Sequence, residues 1–178
     1  KIIGDPSYDT DNDTIPEYVT TSTPLWFTAT DISGIKGTYY RIWHDDTWHP
    51  VDMNDSYCGN NNITEIDETY WYVYTDDQVN FGPIMFHEEC IHHLEFFSID
   101  NLGQKEEITF QTHYVDDTPP ISFKHIGQPH YDTECCGNWV TTHTPITLSA
   151  IEIGDCKVDI WRIHWEIQQN GFTIDSDT

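Results

Sequence analysis

Lys1-Ile2-Ile3-Gly4-Asp5-Pro6-Ser7-Tyr8-Asp9-Thr10 returns later in the chain as Lys124-His125-Ile126-Gly127-Gln128-Pro129-His130-Tyr131-Asp132-Thr133. Tyr18-Val19-Thr20-Thr21-Ser22-Thr23-Pro24 returns as Trp139-Val140-Thr141-Thr142-His143-Thr144-Pro145, and Tyr40-Arg41-Ile42 as Trp161-Arg162-Ile163. The order is kept, and the offset moves only from 123 residues (1 to 124) to 121 (18 to 139). Self-similarity of this kind is the mark of a tandem duplication. The first copy is expected over 1–120, with a long inserted loop at about 44–69. The second, over 121–178, holds the counterpart of only the first half of the first. Asp116-Asp117-Thr118-Pro119-Pro120 marks the junction, because a double proline cannot extend a sheet and makes a stiff, extended linker.

Within the copies the sequence reads as strands. Leu25-Trp26-Phe27-Thr28-Ala29, Thr38 to Trp43, Tyr70 to Tyr74, Ile91 to Ile99 and Ile108 to Tyr114 are rich in β-branched and aromatic residues, and Gly, Pro, Asn and Asp separate them. No segment offers a helical period with caps. Several short strands in roughly 120 residues predict an all-β protein of tandem immunoglobulin-like antiparallel β-sandwich repeats, the second incomplete in this chain.

The run from Phe81-Gly82-Pro83-Ile84 through Cys90-Ile91-His92-His93-Leu94-Glu95-Phe96-Phe97-Ser98-Ile99-Asp100-Asn101-Leu102-Gly103, followed by Asp117-Thr118-Pro119-Pro120, resembles the Ig-like repeats of large secreted archaeal and bacterial surface proteins. Those repeats carry a Gly-Pro-Phe-type strand, a strand and turn ending in Ser-Val-Asp-Asn-Ala-Gly-Asn, and an Asp-Thr-Thr-Pro-Pro linker. The resemblance covers the first copy and the start of the second, and it departs at the insert. It implies the fold and an extracellular, cell-surface location. It says little about activity, since such repeats occur in adhesins, surface layers, filaments and secreted enzymes alike.

Composition agrees with an exterior setting. The 178 residues carry 31 Asp plus Glu against 7 Lys plus Arg, a formal charge of −24, which repels nucleic acids and anionic membranes. At 37% hydrophobic and 14% aromatic the chain can bury a core. No stretch approaches the roughly 20 apolar residues that cross a bilayer. No signal peptide is seen and the chain opens on a strand-like segment, so a mature or excised portion is expected. Three sequons, Asn12-Asp13-Thr14, Asn54-Asp55-Ser56 and Asn62-Ile63-Thr64, fall in polar loops and offer N-linked glycosylation.

The five cysteines read as disulfides in an oxidising compartment. Cys58 in the insert and Cys90 at the start of a strand belong at one end of the sandwich and are paired here. Cys156 is paired with Cys136, or with Cys135 as the alternative, leaving one cysteine over. No Cys-x-x-Cys spacing supports a zinc site. Asp9, Asp11 and Asp13 stand at alternate positions with Glu17 nearby, a pattern that turns carboxylates toward one Ca2+ ion or forms a solvated acidic loop. It is not an EF-hand, because Thr14 replaces the turn glycine and Thr20 the bidentate glutamate. No cofactor is required. His87, His92 and His93 read as surface or satisfied histidines, since neighbours on a strand point to opposite faces. Trp48 and Trp71, with Trp43 and Tyr72, are the best candidates for stacking on a sugar, although strand aromatics more often pack in cores.

No catalytic constellation is recognisable, and no enzyme is expected. The expected role is a structural subunit or segment of an extracellular assembly: a filament, sheath or surface layer. Its partners are copies of itself or further repeats of the same chain, and head-to-tail strand complementation would supply strands to the incomplete second copy. The alternatives are an adhesin or carbohydrate-binding module, or an accessory module of a secreted enzyme.

Overall fold

The structure, a computed structural model, describes all residues except 12, 14, 58, 60, 61, 76–80, 134–136, 155–159, 161 and 178, and except the side chains of 81 and 82. The chain divides into two compact units, Lys1–Asp117 and Thr118–Thr178. The described residues are all-β, without a helix. Unit 1 contains β1 (Ile2–Ile3), β2 (Ser7–Tyr8), β3 (Tyr18–Val19), β4 (Leu25–Phe27), β5 (Ile35–His44), β6 (Thr47–His49), β7 (Ile63–Ile66), β8 (Thr69–Tyr74), β9 (Phe81–Ile84), β10 (Cys90–Asp100) and β11 (Thr109–Val115). Unit 2 contains β12 (Ile121–Ile126), β13 (His130–Thr133), β14 (Gly137–Val140), β15 (Ile146–Ile151), β16 (Glu166–Gln169) and β17 (Phe172–Ser176).

Unit 1 holds a three-stranded sheet, β1-β4-β9, and an eight-stranded sheet in the order β2-β3-β11-β10-β5-β8-β7, with β6 paired to β5. All pairings are antiparallel except β3 on β11. β10 lies at the centre of the sheet, and both of its faces carry buried residues, Leu94 on one and Phe97 on the other. Its register sets His93 opposite Trp43 of β5 and His92 opposite His113 of β11.

The period of two sends Tyr40, Ile42, Leu94 and Tyr72 into one buried cluster, where Leu25, Phe27 and Ile84 of the small sheet meet them. Tyr39, Trp71, Val73 and Phe97 form a second cluster on the opposite face. Burying each such large side chain contributes about 1.5–3 kcal/mol, and offset ring pairs such as Phe27–Tyr40 at 5.4 Å add directionality.

The insert is not a plain loop. It supplies β6 and β7, each entering or leaving through a two-residue turn with left-handed backbone: Asp45 and Asp46 at φ 48° and 59°, Asp67 and Glu68 at φ 52° and 61°. Such turns match the twist of the flanking strands. Asn170 and Gly171, at φ 53° and 80°, make the same kind of turn between β16 and β17 in unit 2.

The stretches that recur in sequence recur in pairing. Ile2 faces Trp26 and Ile3 faces Leu25, and at the matching positions His125 faces Thr147 and Ile126 faces Ile146. Ser7 and Tyr8 face Val19 and Tyr18, and His130 and Tyr131 face Val140 and Trp139. Gly4 N–H donates to Pro24 O at 2.8 Å, and Gly127 N–H to Pro145 O at 2.8 Å. The hydroxyls of Thr23 and Thr144 accept from the Thr20 and Thr141 N–H groups at 2.9 Å and donate to the Pro6 and Pro129 carbonyls.

What surrounds the two stretches differs. In unit 1, β11 occupies the second edge of β3 and β9 that of β4. In unit 2, β13-β14, β12-β15 and β16-β17 are separate pairs, and no described residue is buried. Leu25, Phe27 and Val19 are 0%, 1% and 3% exposed, whereas their counterparts Ile146, Leu148 and Val140 are 53%, 37% and 47% exposed.

Candidate functional site

The densest polar chemistry lies at the end of the large sheet of unit 1 where β5 stops and β10 starts. Continuing the register of Trp43 with His93 places His44 beside His92, and His92 faces His113, so three imidazoles form a row across β5, β10 and β11. The His44 and His92 rings stack at 4.2 Å and 10°. Phe86 covers the rings of His92 and His113, at 4.5 Å and 5.6 Å between centroids. His92 and His113 are both 0% exposed.

Each buried ring is held from both nitrogens. His92 Nδ1 lies 3.2 Å from the Cys90 carbonyl and Nε2 3.1 Å from the Tyr57 hydroxyl. His113 Nδ1 lies 3.0 Å from the Pro16 carbonyl and Nε2 2.6 Å from Lys1 Nζ. A carbonyl only accepts, so Nδ1 carries the proton in both rings and Nε2 accepts from Tyr57 or Lys1. Burial, helped by the neighbouring His44, pushes His92 down to about 4. Burial, helped by Lys1, pushes His113 down to about 3, and burial brings Lys1 itself down to about 7. His44 Nε2 meets Glu88 at 2.5 Å, and its Nδ1 is buried without a partner among the described residues.

The insert is fastened beside this row by Asp55, whose side chain is 5% exposed. Its carboxylate accepts from Tyr72 OH at 2.6 Å, Tyr57 N–H at 2.8 Å, Val51 N–H at 2.8 Å and His49 Nδ1 at 2.8 Å. Burial pushes the Asp55 carboxyl up, but these four bonds outweigh it and hold the group at about 2. The His49 ring stacks on Tyr57 at 4.2 Å.

On the opposite face, Arg41 is clamped between Trp48 and Trp71, with Cζ 4.3 Å and 4.7 Å from the ring centroids, and Nε 2.6 Å from Glu95. Trp71 is 3% exposed and its ring face is taken by the guanidinium, so a sugar stacking there has to displace Arg41. Trp43 packs on His93 at 4.8 Å. Tyr72 is 0% exposed in the core.

Asp9, Asp11, Asp13 and Glu17 each bring an oxygen within 4.8 Å of the others, a set that suits a hard divalent cation. The same carboxylates serve the local backbone: Asp9, Asp11 and Asp13 accept from the N–H two residues on, at 3.2, 3.0 and 2.7 Å, and Glu17 accepts from Thr10 N–H at 2.8 Å. Cys90 is disulfide-bonded. Its expected partner Cys58 lies outside the described residues, as do Cys135, Cys136, Cys156 and Asn12. Asn54 and Asn62 are exposed.

Sequence reading singled out His92 and His93 and their opposite faces but not the row. His44 and His113 are 48 positions before and 21 after His92, and only the strand register brings them together. Compared with known proteins, the chain matches no family model, no curated protein and no solved structure. Its all-β architecture and the geometry above are therefore what bear on its role.

Proposed function

We propose that this chain is a structural segment of an extracellular surface assembly, a filament, sheath or surface layer. It is built from repeated immunoglobulin-like β-sandwich units, with N-linked glycans on exposed loops such as those of Asn54 and Asn62. The observation that carries the reading is the recurrence, residue by residue, of the β1/β4 and β2/β3 pairings in β12/β15 and β13/β14. A module used twice with the same register is an architectural part, and its work is packing rather than turnover.

Unit 2 supports the assembly side of the proposal. Ile146 and Leu148, with Ile163 and Trp165, line an open groove of about 600 Å³. Their unit 1 counterparts, Leu25 and Phe27, are covered by neighbours from both sheets. Strands of the β9 and β11 kind, added to the edges of β15 and β14 that have no partner strand among the described residues, would close this face, and unpaired edges are the usual template for such addition. The source is a neighbouring copy, giving a head-to-tail polymer, or further repeats of the same polypeptide. The four acidic side chains around Asp11 would bind Ca2+ on the outside of the assembly.

Electron microscopy of native material, with glycoproteomics on the same sample, tests the reading. Ordered filaments or lattices with sugar on Asn54 or Asn62 are expected. Dispersed monomers that bind glycan arrays would replace it with an adhesion module.

A further inference from the structure

We propose that the His44–His92–His113 row is a proton-operated latch, which holds the chain around Lys1 and the Tyr57 stretch of the insert against the large sheet of unit 1 when neutral and loosens them when protonated. The row is the only place where these two segments and the 9–17 loop meet one set of side chains among the described contacts. Lys1 brings in the first strand, the Pro16 carbonyl the loop, and Tyr57 the insert. The ties to Lys1 and Tyr57 use Nε2 as an acceptor, which only the neutral ring offers.

Two of the ties weaken in acid, whereas His113 Nδ1–H donates to the Pro16 carbonyl in the neutral and the protonated ring alike. His113 Nε2 accepts a hydrogen bond from the Lys1 ammonium, and a protonated ring would set two cationic donors against each other at 2.6 Å. His92 Nε2 accepts from Tyr57, and its protonation forces that hydroxyl to reverse, beside a His44 ring stacked at 4.2 Å. Among the described residues, the groups facing the row come from β5, the insert, the segment before β10 and the chain around Lys1. β5 brings His44, with Glu88 on its Nε2. The insert brings Tyr57, with His49 on its face and Asp55 behind it. The segment before β10 brings neutral Phe86, and His87 lies edge-on to Tyr57. Lys1, just ahead of β1, brings its side chain, which burial lowers to about 7 and which is an ammonium below that, and His93 stands on the far face of β10. Among the described residues one carboxylate, Glu88, contacts the row, at its His44 end, while the central His92 and the far His113 are buried, so added protons there are poorly compensated.

The low values of His92 and His113 have the sign this requires. Their folded pKa values, about 4 and about 3, lie below 6.5, so the stabilisation by the neutral row is complete above about pH 6.5 and is lost as pH falls toward those values.

The test uses the whole chain, labelled with 15N. Long-range proton–nitrogen spectra of the imidazoles read tautomer and charge directly, and amide exchange corrected for intrinsic rate reads release. His92 and His113 are expected as neutral Nδ1–H tautomers at about pH 5.5. Below that, exchange of the Gly4 amide is expected to rise about tenfold per pH unit while the Tyr40 and Phe97 amides stay protected. In His113→Phe, the pH dependence at Gly4 should flatten by about tenfold or more. Rings that become imidazolium while Gly4 is unchanged would overturn the latch, and so would protection lost together across unit 1. An unaltered Gly4 profile in His113→Phe would do the same. The ring spectra of the unmodified chain keep the proposal testable if that variant does not fold.

Discussion

Asp55 is the side chain whose removal should cost unit 1 most for its size. It accepts four hydrogen bonds, two of them from the backbone of its own loop, and its side chain is 5% exposed. The displacement of its pKa from 3.8 to about 2 corresponds to roughly 2 kcal/mol of preference for the ionised form in the fold. Asp55→Asn keeps the shape but turns one acceptor oxygen into a donor facing donors, so a loss of about 2–3 kcal/mol is expected. Asp55→Ala strips the acceptor from the Val51 and Tyr57 amides and from His49, and should lose about 3–4 kcal/mol.

Urea unfolding at pH 7, followed by the fluorescence of Trp43, Trp48 and Trp71, measures both. The pH dependence adds a second check. A depressed carboxyl stabilises above its unfolded value and loses that contribution as pH falls from about 4 through 2, so the gap between wild type and Asp55→Asn should close over that window. An Asn variant within about 0.5 kcal/mol of wild type at pH 7 would refute the reasoning.

Three further outcomes are expected. Arg41→Ala leaves Glu95 without its cation and opens the gap between Trp48 and Trp71, lowering unit 1 stability by about 2–3 kcal/mol in thermal or urea melts, with Arg41→Lys recovering only part because an ammonium cannot lie flat between two rings. A Cβ at Gly4 would come within 2.8 Å of Pro24 Cγ and one at Gly127 within 2.7 Å of Pro145 Cγ, so Gly4→Ala and Gly127→Ala should each cost about 1–3 kcal/mol, read as local amide exchange in the two stretches. Calorimetric titration with Ca2+ should give a dissociation constant of roughly 10⁻⁴–10⁻³ M that is abolished by Asp11→Asn, and no heat at millimolar calcium would leave Asp9, Asp11 and Asp13 as backbone caps alone.

The long strands were legible in the sequence because each is a dense run of aromatic and β-branched residues. Thr38 to Trp43 lies within β5 and Ile91 to Ile99 within β10. The short strands of the insert were not. Their turns are Asp45-Asp46 and Asp67-Glu68, which take left-handed backbone without the glycine that usually signals it, whereas Asn170-Gly171 carries the ordinary signature. The metal-like spacing of Asp9, Asp11 and Asp13 could be read directly, since alternate residues need no tertiary information to converge. The histidine row and the four donors to Asp55 could not, because register across β5, β10 and β11 and the return of the insert over Tyr72 are long-range facts. Trp71 shows the opposite limit: an aromatic next to an insert reads as a platform until Arg41 is found lying on it.

The lone parallel pairing in unit 1 has a mechanical meaning. β3 comes early in the unit and β11 ends it, and the two run side by side, joined by Tyr114 N–H to Glu17 O at 2.7 Å and Asp116 N–H to Val19 O at 3.0 Å. Beyond β11, Asp117 closes on the backbone and hydroxyl of Thr21. Tension entering ahead of β3 and leaving after Asp117 draws these neighbours past each other lengthwise. The bonds between them are then loaded together in shear, instead of opening one at a time as in a peeled hairpin. A chain wired this way resists stretching along the seam between β3 and β11.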